Sequence, residues 1–226
     1  MSTRVGLIVP SSNSVIEVDF YRRLPADATL HTARMYLEET TPEGESAMLD
    51  DHLPVAINDL RSARPDVMVF GCTSAGALRG NEYEAELIKR IGDETGAETF
   101  SVAASVRRVI REAGGRRVGV ITPYVDSLNG KIRQSLEDDG LEVAGIHGLG
   151  ITENFAIAEV EPARISQFAS ECFAGSDIDL LFASCTNFRA IDAREEIQAA
   201  LGVPVVTSNH AALVCVLDQI GAPATV

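Results

Sequence analysis

Uninterrupted apolar runs alternate with helix-like segments along the chain. The runs lie at residues 4–9, 66–71, 117–122 and 179–184. Because they lack polar alternation, they predict strands that are buried on both faces. Weaker strands are predicted at 30–36, 98–101, 142–147 and 203–207, and helices at 14–24, 43–62, 81–94, 102–113, 127–139, 162–174, 190–201 and 209–220. This alternation of strand and helix predicts parallel sheets that are covered by helices.

One internal repeat divides the chain into two like halves. The segment at 4–10 recurs at 117–123, and at the same offset Cys72-Thr73 recurs as Cys185-Thr186. A single long repeat indicates duplication of a domain-sized unit rather than a solenoid. We therefore predict an α/β fold of two pseudo-symmetric, doubly wound parallel-sheet lobes. No Pro-rich or Ser/Gly-rich linker separates the halves, so we expect closely packed lobes with the active site in the cleft between them.

Polar residues directly follow four of the predicted strands. In doubly wound sheets, ligands bind beyond the carboxyl ends of the strands. The segments at those ends are Pro10–Asn13, Gly71–Gly76, Thr122–Tyr124 and Ser184–Asn187. The occurrence of all four segments at strand ends is the strongest functional signal in the sequence. It predicts that the site lies at the carboxyl ends of these strands.

Cys72 and Cys185 are the candidate catalytic pair. A strand-end cysteine on its own is commonly a small buried hydrophobe, but two at equivalent positions, each followed by threonine, favour a functional role. Backbone amides and a helix N-terminus are expected to lower the pKa of both thiols. Cys172 and Cys215 lie within helical runs and are interpreted as packing residues. Without CxxC spacing, the four cysteines do not form a disulfide framework.

Hydroxyl and amide side chains accompany these thiols. Ser11, Ser12 and Asn13 form a polar turn that either holds a carboxylate at a helix N-terminus or only caps that helix. Tyr124 either donates to a substrate carboxylate or serves as a wall of the cleft. His210 opens the last predicted helix and is a further candidate for the cleft. The candidate substrate-binding residues beside the thiols are Thr73, Ser74, Thr186 and Asn187.

The composition narrows the classes of function. A formal net charge of −14 argues against a nucleic-acid partner, although backbone amides can still hold a small anion in an acidic protein. No apolar run reaches the length of about 18 residues that a membrane span needs. The first residues do not form a signal peptide, so we expect a cytoplasmic protein. No metal-ligand spacing or phosphate-binding glycine motif occurs, so no metal or nucleotide cofactor is predicted.

The assembled motifs resemble the aspartate/glutamate racemase superfamily. The resemblance is carried by VPSSN at 9–13, FGCTSAGAL at 70–78, VGVITPYVDSLN at 118–129, ITENFAI at 151–157, FASCTNFRAID at 182–192 and VVTSNHA at 205–211. Within the superfamily, the chain is most similar to the maleate cis–trans isomerase group, including the related ectoine-utilisation proteins. Arylmalonate decarboxylases are more distant. The match spans nearly the whole chain in the right order.

The resemblance implies a reaction that uses no cofactor. Cys72 would add to an alkene carbon of a cis-enedioate, giving an adduct whose central bond can rotate. Cys185 would supply and remove the proton at the neighbouring carbon. Asn13, Tyr124 and Asn154 would bind the two carboxylates. The developing negative charge would be stabilised by the amides and hydroxyls of Thr73, Ser74, Thr186 and Asn187.

The resemblance also implies how the chain is divided. Two lobes close over a small anionic carboxylate, and the final helix packs back against the first lobe. We therefore expect the first lobe at 1–101, completed by the final segment at 208–226, and the second lobe at 102–207. We expect a homo-oligomer, either a dimer or a tetramer.

Other functions stay open at this point. Amino-acid racemases of the superfamily carry an acidic residue in the first loop, where this chain has Ser11-Ser12-Asn13. Arylmalonate decarboxylases keep one cleft cysteine, whereas this chain has two. The segments at 185–189 and 208–211 favour the ectoine-utilisation relatives. A two-lobed binding protein would not need two matched thiols, and a redox sensor would need two sulfurs close enough to bond.

Overall fold

Two four-stranded parallel sheets form the framework of the protein. The structure is a computed structural model that describes residues 2–223. The first sheet has the order β2-β1-β3-β4, and its strands are β1 (Thr3–Pro10), β2 (Ala28–Met35), β3 (Val67–Phe70) and β4 (Glu98–Ser101). The second has the order β6-β5-β7-β8, and its strands are β5 (Arg117–Thr122), β6 (Glu142–Gly148), β7 (Leu180–Ala183) and β8 (Val205–Thr207). The identical strand order confirms the predicted pair of pseudo-symmetric α/β lobes.

Helices connect the strands and flank both sheets. They are α1 (Ile16–Arg23), α2 (Pro42–Ala47), α3 (Leu53–Arg61), α4 (Thr73–Leu78), α5 (Asn81–Thr95), α6 (Val102–Glu112), α7 (Asp126–Glu137), α8 (Asn154–Ala158), α9 (Pro162–Phe173), α10 (Ala190–Leu201) and α11 (Ser208–Gln219). Among residues 2–223, no helix is long and apolar enough to cross a membrane.

The segment at 43–62, which was predicted to be one helix, is interrupted in the structure. A π-helical turn, Met48–His52, separates α2 from α3. Pro54 lies in the first turn of α3, where it has no N–H to donate to the carbonyl of Asp50 and its ring crowds that carbonyl. The wider π turn accommodates this missing bond. The short helices α4 and α8 also went unpredicted, because five or six residues are too few to show a helical period.

The repeated Arg and Asp residues fix the beginning of the equivalent strands. The Asp66 carboxylate accepts a hydrogen bond from the Arg4 backbone N–H at 2.8 Å. In the second half, Asp179 accepts from the Arg117 N–H at 3.0 Å. Each bond anchors the loop before β3 or β7 to the neighbouring strand β1 or β5. The repeated Arg and Asp residues therefore set the register of β1 with β3 and of β5 with β7 in the same way.

The central strands are buried on both faces, as the uninterrupted apolar runs predicted. Every residue of β3 and β7 is buried, because helices cover each sheet on both sides. The final helix α11 packs against α1, β3 and β4 of the predicted first lobe and against α6, α10 and β8 of the predicted second lobe. The division into a first lobe at 1–101 with 208–226 and a second lobe at 102–207 therefore stays a prediction, and residues 1 and 224–226 lie outside the described residues.

A buried ion pair links α5, α6 and α7. Arg107 donates to the Glu84 carboxylate at 2.6 Å and to the Ser135 hydroxyl at 2.9 Å. Asn81 donates to the carbonyl of Ser135 at 2.9 Å. Glu84 also accepts from the Ser101 hydroxyl. The Glu84 side chain is 1% exposed, so the guanidinium is what makes its negative charge tolerable at that depth.

We expect Arg107→Met to lower the free energy of unfolding by about 3–5 kcal/mol, because Glu84 would be left buried without a cation. Urea unfolding of both proteins measures the difference. The matched control is Arg90→Met, which removes an exposed pair with Glu94 and should cost less than about 1 kcal/mol. Equal losses in the two variants would contradict a structural role for the Glu84–Arg107 pair.

Candidate active site

The two strand-end thiols lie in one buried site between the sheets. Gly71 N–H still pairs with the Ile8 carbonyl at 2.7 Å, and Ser184 N–H pairs with the Ile121 carbonyl at 2.9 Å. Cys72 and Cys185 follow immediately, one residue beyond the last pairing of β3 and β7. They are 4% and 5% exposed, and the charge of one affects the ionisation of the other. The repeat therefore brings the predicted pair together.

Cys185 is held in an uncommon backbone conformation. Its φ is +117°. Residues other than glycine rarely adopt this backbone conformation, which costs of the order of 1–3 kcal/mol. The Cys185 N–H donates to the Ser208 hydroxyl at 3.0 Å, and the Asn187 N–H donates to the Cys185 sulfur at 3.3 Å. Since glycine would remove the strain, a thiol at this position indicates that the side chain itself is needed.

Burial raises the pKa of both thiols. The pKa of Cys72 lies well above its ordinary value because burial disfavours the thiolate, and the nearby Glu45 adds to this. Burial also raises the pKa of Cys185 to about 12. The expectation that backbone amides would lower both values is therefore wrong. The amides of Ala75 and Asn187 do act in that direction, but desolvation outweighs them in a closed site.

Asn13 and Asn187 join the two halves above the thiols. The Asn13 amide donates to the Thr186 hydroxyl at 3.0 Å. The Asn187 carbonyl oxygen accepts from the Ser14 N–H at 2.9 Å. Asn13 Oδ1 also accepts from the first N–H groups at the start of α1, at 3.0 and 3.1 Å. Helix capping by Asn13 is therefore realised, and its amide nitrogen still points to the second half.

Asn154 extends this network toward the rim. Its amide donates to the Ser12 hydroxyl at 2.7 Å, its side-chain carbonyl accepts from Thr40 at 3.1 Å, and its backbone carbonyl accepts from Asn187 at 2.6 Å. Ser12 in turn donates to the Leu37 carbonyl at 2.6 Å. Ser11 bonds both backbone groups of Leu37. The Ser11 and Ser12 hydroxyls are thus engaged with Leu37, two residues beyond the end of β2.

Ser208 connects the two cysteine loops and was not predicted as a site residue. Its hydroxyl accepts from the Thr73 hydroxyl at 2.9 Å and from the Cys185 N–H at 3.0 Å. The Thr186 hydroxyl donates to the Gly71 carbonyl at 3.1 Å, so a second bond crosses between the loops. The sequence could have indicated this residue, because Ser208 directly follows β8 and therefore lies at the same edge of the second sheet as Cys185.

Glu45 is the second residue that the sequence analysis missed. Its side chain is fully buried, and its Oε1 accepts a hydrogen bond from the Ser74 hydroxyl. Ser74 lies 3.8 Å from the Cys72 sulfur. Within residues 2–223, Glu45 Oε2 has no hydrogen-bond partner. Burial raises the pKa of Glu45 to about 8.

A close backbone approach places α2 where Glu45 reaches the site. A Cβ on Gly44 would lie 2.5 Å from the Glu39 carbonyl, so only glycine permits this path. Thr41 caps the helix by accepting from the Gly44 N–H at 3.1 Å. In the sequence, Glu45 was indistinguishable from Glu43, which is exposed on the same helix.

Tyr124 places its hydroxyl beside the Cys185 sulfur, which is a weak acceptor. The side chain is buried, and within the described residues its hydroxyl has no hydrogen-bond partner of good geometry. Burial raises the pKa of Tyr124 well above its ordinary value, and the proximity of Cys185 adds to this. Gly148 lets the next strand approach, because a Cβ there would lie 2.1 Å from the Tyr124 carbonyl. Tyr124 therefore enters the site as a neutral donor.

The electrostatic surroundings of His210 are set by two arginines rather than by the thiols. Burial, together with the nearby cations Arg194 and Arg23, lowers the pKa of His210 to about 4. Its backbone N–H donates to the Thr207 hydroxyl at 3.2 Å, which caps α11. The ring is thus neutral at pH 7 and close to basic residues of α10 and α1. Its role in substrate binding stays a prediction.

The remaining cysteines and cavities lie elsewhere. Cys172 is half-buried, and the Cys215 sulfur accepts from Arg108 at 3.6 Å. A cavity of about 510 Å³ is lined by residues that include Ile88, Phe100 and Cys215. Neither Cys72 nor Cys185 lines it, so this cavity is separate from the thiol site. Across residues 2–223, no group of three His, Cys, Asp or Glu side chains is placed to hold a metal ion.

Comparison with known proteins assigns the family. A family model described as arylmalonate decarboxylase matches residues 5–226. Arylmalonate decarboxylase from Bordetella bronchiseptica is 30% identical over 208 residues, which cover 92% of this chain and 86% of that protein. Maleate isomerase from Pseudomonas putida is 26% identical over 233 residues, which cover 96% of this chain and 91% of that protein.

The solved structures give the same result. A variant of the maleate isomerase Iso from Pseudomonas putida S16, crystallised with maleate, superposes with a TM-score of 0.92 at 25% identity, covering 99% of this chain and 94% of that one. The predicted resemblance to maleate isomerases, and the enzyme class it implies, are confirmed. The chain belongs to the arylmalonate decarboxylase family and shares the fold of its maleate isomerase relatives.

Proposed function

We propose that this protein is a cofactor-independent isomerase of a small carboxylic acid, and that it converts maleate to fumarate. The observation that carries the proposal is the pair of buried thiols, Cys72 and Cys185, which equivalent strand ends bring into one site. Maleate isomerases among the relatives support it, as does the maleate held by the structurally similar Iso variant. The surrounding amide and hydroxyl groups suit a carboxylate substrate.

The reaction begins when the Cys72 sulfur adds to one alkene carbon and passes its thiol proton to the carboxylate on that carbon. A carbon–sulfur bond forms while the π electrons move to the neighbouring carbon and its carboxylate. Cys185 donates its proton to that carbon and is left as the thiolate. The former double bond is now single, so it rotates. Cys185 then takes its proton back, the carbon–sulfur bond breaks as the substrate carboxyl returns its proton to Cys72, and fumarate leaves with both thiols restored.

Neutral hydrogen-bond donors stabilise the charge that develops on the carboxylate. Thr73 and Ser74 follow Cys72 at the start of α4, and Thr186 and Asn187 follow Cys185. Such preorganised donors are commonly the largest contribution to lowering a barrier of this kind. Asn13, Asn154 and Tyr124 are the proposed partners of the substrate carboxylates.

Proton NMR of the protein with maleate tests the proposal directly. We expect the maleate alkene signal to be replaced by that of fumarate, and the activity to survive dialysis against EDTA. Two parallel samples contain phenylmalonate, assayed for loss of CO₂, and amino acids in D₂O, assayed for exchange of the α-proton. Turnover of either, without fumarate formation, would contradict the proposal in favour of a decarboxylase or a racemase. Binding without turnover would favour a binding protein.

We expect Cys72→Ala and Cys185→Ala each to abolish measurable isomerisation. Loss of the proton donor Cys185 should cost at least about 10²–10⁴-fold. Cys72→Ser should also fail, because a hydroxyl is a much weaker acid and a poorer nucleophile than a thiol and adds poorly to an alkene. The controls Cys172→Ala and Cys215→Ala should keep near-normal rates, with about 1–2 kcal/mol of lost packing at most. Full activity in Cys185→Ala would remove the two-thiol mechanism.

We expect Tyr124→Phe to lower kcat/KM about 10–100-fold, because a substrate carboxylate would lose a donor worth about 1.5–3 kcal/mol. The thermal midpoint should not fall, since the hydroxyl has no partner of good geometry within the described residues. Asn13→Ala is the contrasting variant: it should lower both activity and stability, because Asn13 also caps α1. Unchanged kinetics in Tyr124→Phe would show that the hydroxyl does not bind substrate.

A further inference from the structure

Glu45 presents an unused oxygen to the thiol site. Its Oε1 accepts from Ser74, which makes that oxygen the carbonyl-like acceptor of the carboxyl group. Its Oε2 is buried and without a partner among the described residues. Electrostatic interaction with Cys72, Cys185 and Tyr124 places the carboxyl group close to all three. A buried polar atom left unpaired in this way calls for an explanation.

The environment of Glu45 keeps its carboxyl group protonated at neutral pH. Burial raises its pKa to about 8, and the Ser74 hydroxyl only partly offsets this. With Oε1 accepting from Ser74, the proton lies on Oε2. The site therefore holds a buried O–H donor that has no acceptor within the described part of the chain.

No nearby charge reverses this preference. The facing groups Cys72, Cys185 and Tyr124 all have raised pKa values, so they are neutral at pH 7 and supply no cation. On the π turn that packs against α2, Asp50 pairs with Arg79, which directly follows α4. Asp51 is exposed, and the His52 ring contacts the ring of Tyr36. On α2 itself, Glu43 is exposed.

We propose that Glu45 is a further substrate-binding and catalytic group, whose neutral carboxyl donates a hydrogen bond from Oε2 to the substrate carboxylate bound beside Ser74. The inference rests on the proposed function and deepens it. When Cys72 adds to the alkene, negative charge moves onto that carboxylate, and a neutral donor aimed at it strengthens as the charge grows. The proton stays on Glu45 throughout, so the proton transfers assigned to Cys185 are unchanged. An ionised Glu45 would instead repel the substrate.

The pH dependence of kcat/KM for maleate tests the protonation state. In the unaltered protein it should fall about tenfold per pH unit above pH 8. Glu45→Gln should stay within about tenfold at pH 7 and lose this decline, because the carboxamide accepts from Ser74 and still donates at every pH. Glu45→Ala should lose about 10²–10³-fold. The exposed Glu43→Gln is the matched control and should behave as the unaltered protein.

Two outcomes would overturn the proposal. If Glu45→Gln is as inactive as Glu45→Ala, the carboxylate form is the one that works, as a base or as the partner of a substrate cation. If kcat/KM of the unaltered protein rises through pH 8, the same conclusion follows. Thermal melting of each variant separates these results from a failure to fold.

Binding of succinate, an unreactive dianion, makes the test independent of turnover. Calorimetry should show affinity that weakens at least about fivefold between pH 7 and pH 9.5 in the unaltered protein, and that stays constant in Glu45→Gln. If this holds while maleate is not isomerised, Glu45 recognises the carboxylate and the proposed function fails alone. Succinate affinity with the same pH dependence in both proteins would overturn the role of Glu45.

The stability of the protein gives a readout without any ligand. The folded state holds the Glu45 proton more tightly than the unfolded chain, whose pKa is the ordinary 4.5. The contribution of Glu45 to stability is therefore fully present below pH 4.5 and is lost as pH rises toward 8. We expect Glu45→Gln to flatten the profile over this window relative to Glu43→Gln. Parallel profiles would show that Glu45 is ionised in the folded protein.

Discussion

Exclusion of water from the space between the two sheets governs the chemistry of this protein. The parallel strands end there, and the short loops that follow bury two thiols, a phenol and a carboxyl group together. Desolvation is the largest cause of every raised pKa in this group. Each of these groups is therefore neutral at pH 7, and the site offers a substrate hydrogen-bond donors rather than charges. An anionic substrate enters such a site without meeting a like charge.

The duplicated framework places the two cysteines at equivalent positions, but their neighbouring residues differ. Cys72 has an extended backbone at the start of α4 and lies next to Ser74 and Glu45. Cys185 has a positive φ and lies next to Tyr124. Equivalent positions in the repeat thus give the two sulfurs different neighbours. Such a difference is what a reaction needs when one thiol forms a bond to carbon and the other moves a proton.

The sequence predicted the framework well because its signals are local. The apolar runs, the repeated Arg and Asp residues and the two Cys-Thr pairs each depend on a few adjacent residues. Glu45 and Ser208 escaped prediction for the opposite reason, since their importance comes from contacts with residues 29 and 23 positions away. The raised pKa values of the thiols were missed likewise, because the degree of burial is a property of the closed structure. The short helices α4 and α8 showed no period to detect.

The hydrogen bonds across the site also bear on how a substrate is held. Asn13, Asn154, Thr186 and Asn187 bond to one another or to neighbouring backbone in the described structure. A carboxylate that binds to them must exchange one hydrogen bond for another, so each contributes little net free energy. Glu45 Oε2 has no partner among the described residues, and the Tyr124 hydroxyl interacts only with the Cys185 sulfur, a weak acceptor, so a bond from either to substrate is a net gain. In the proposed reaction, binding energy is therefore concentrated on these two groups beside the thiols, where negative charge would develop, while the asparagine network mainly fixes the shape of the site.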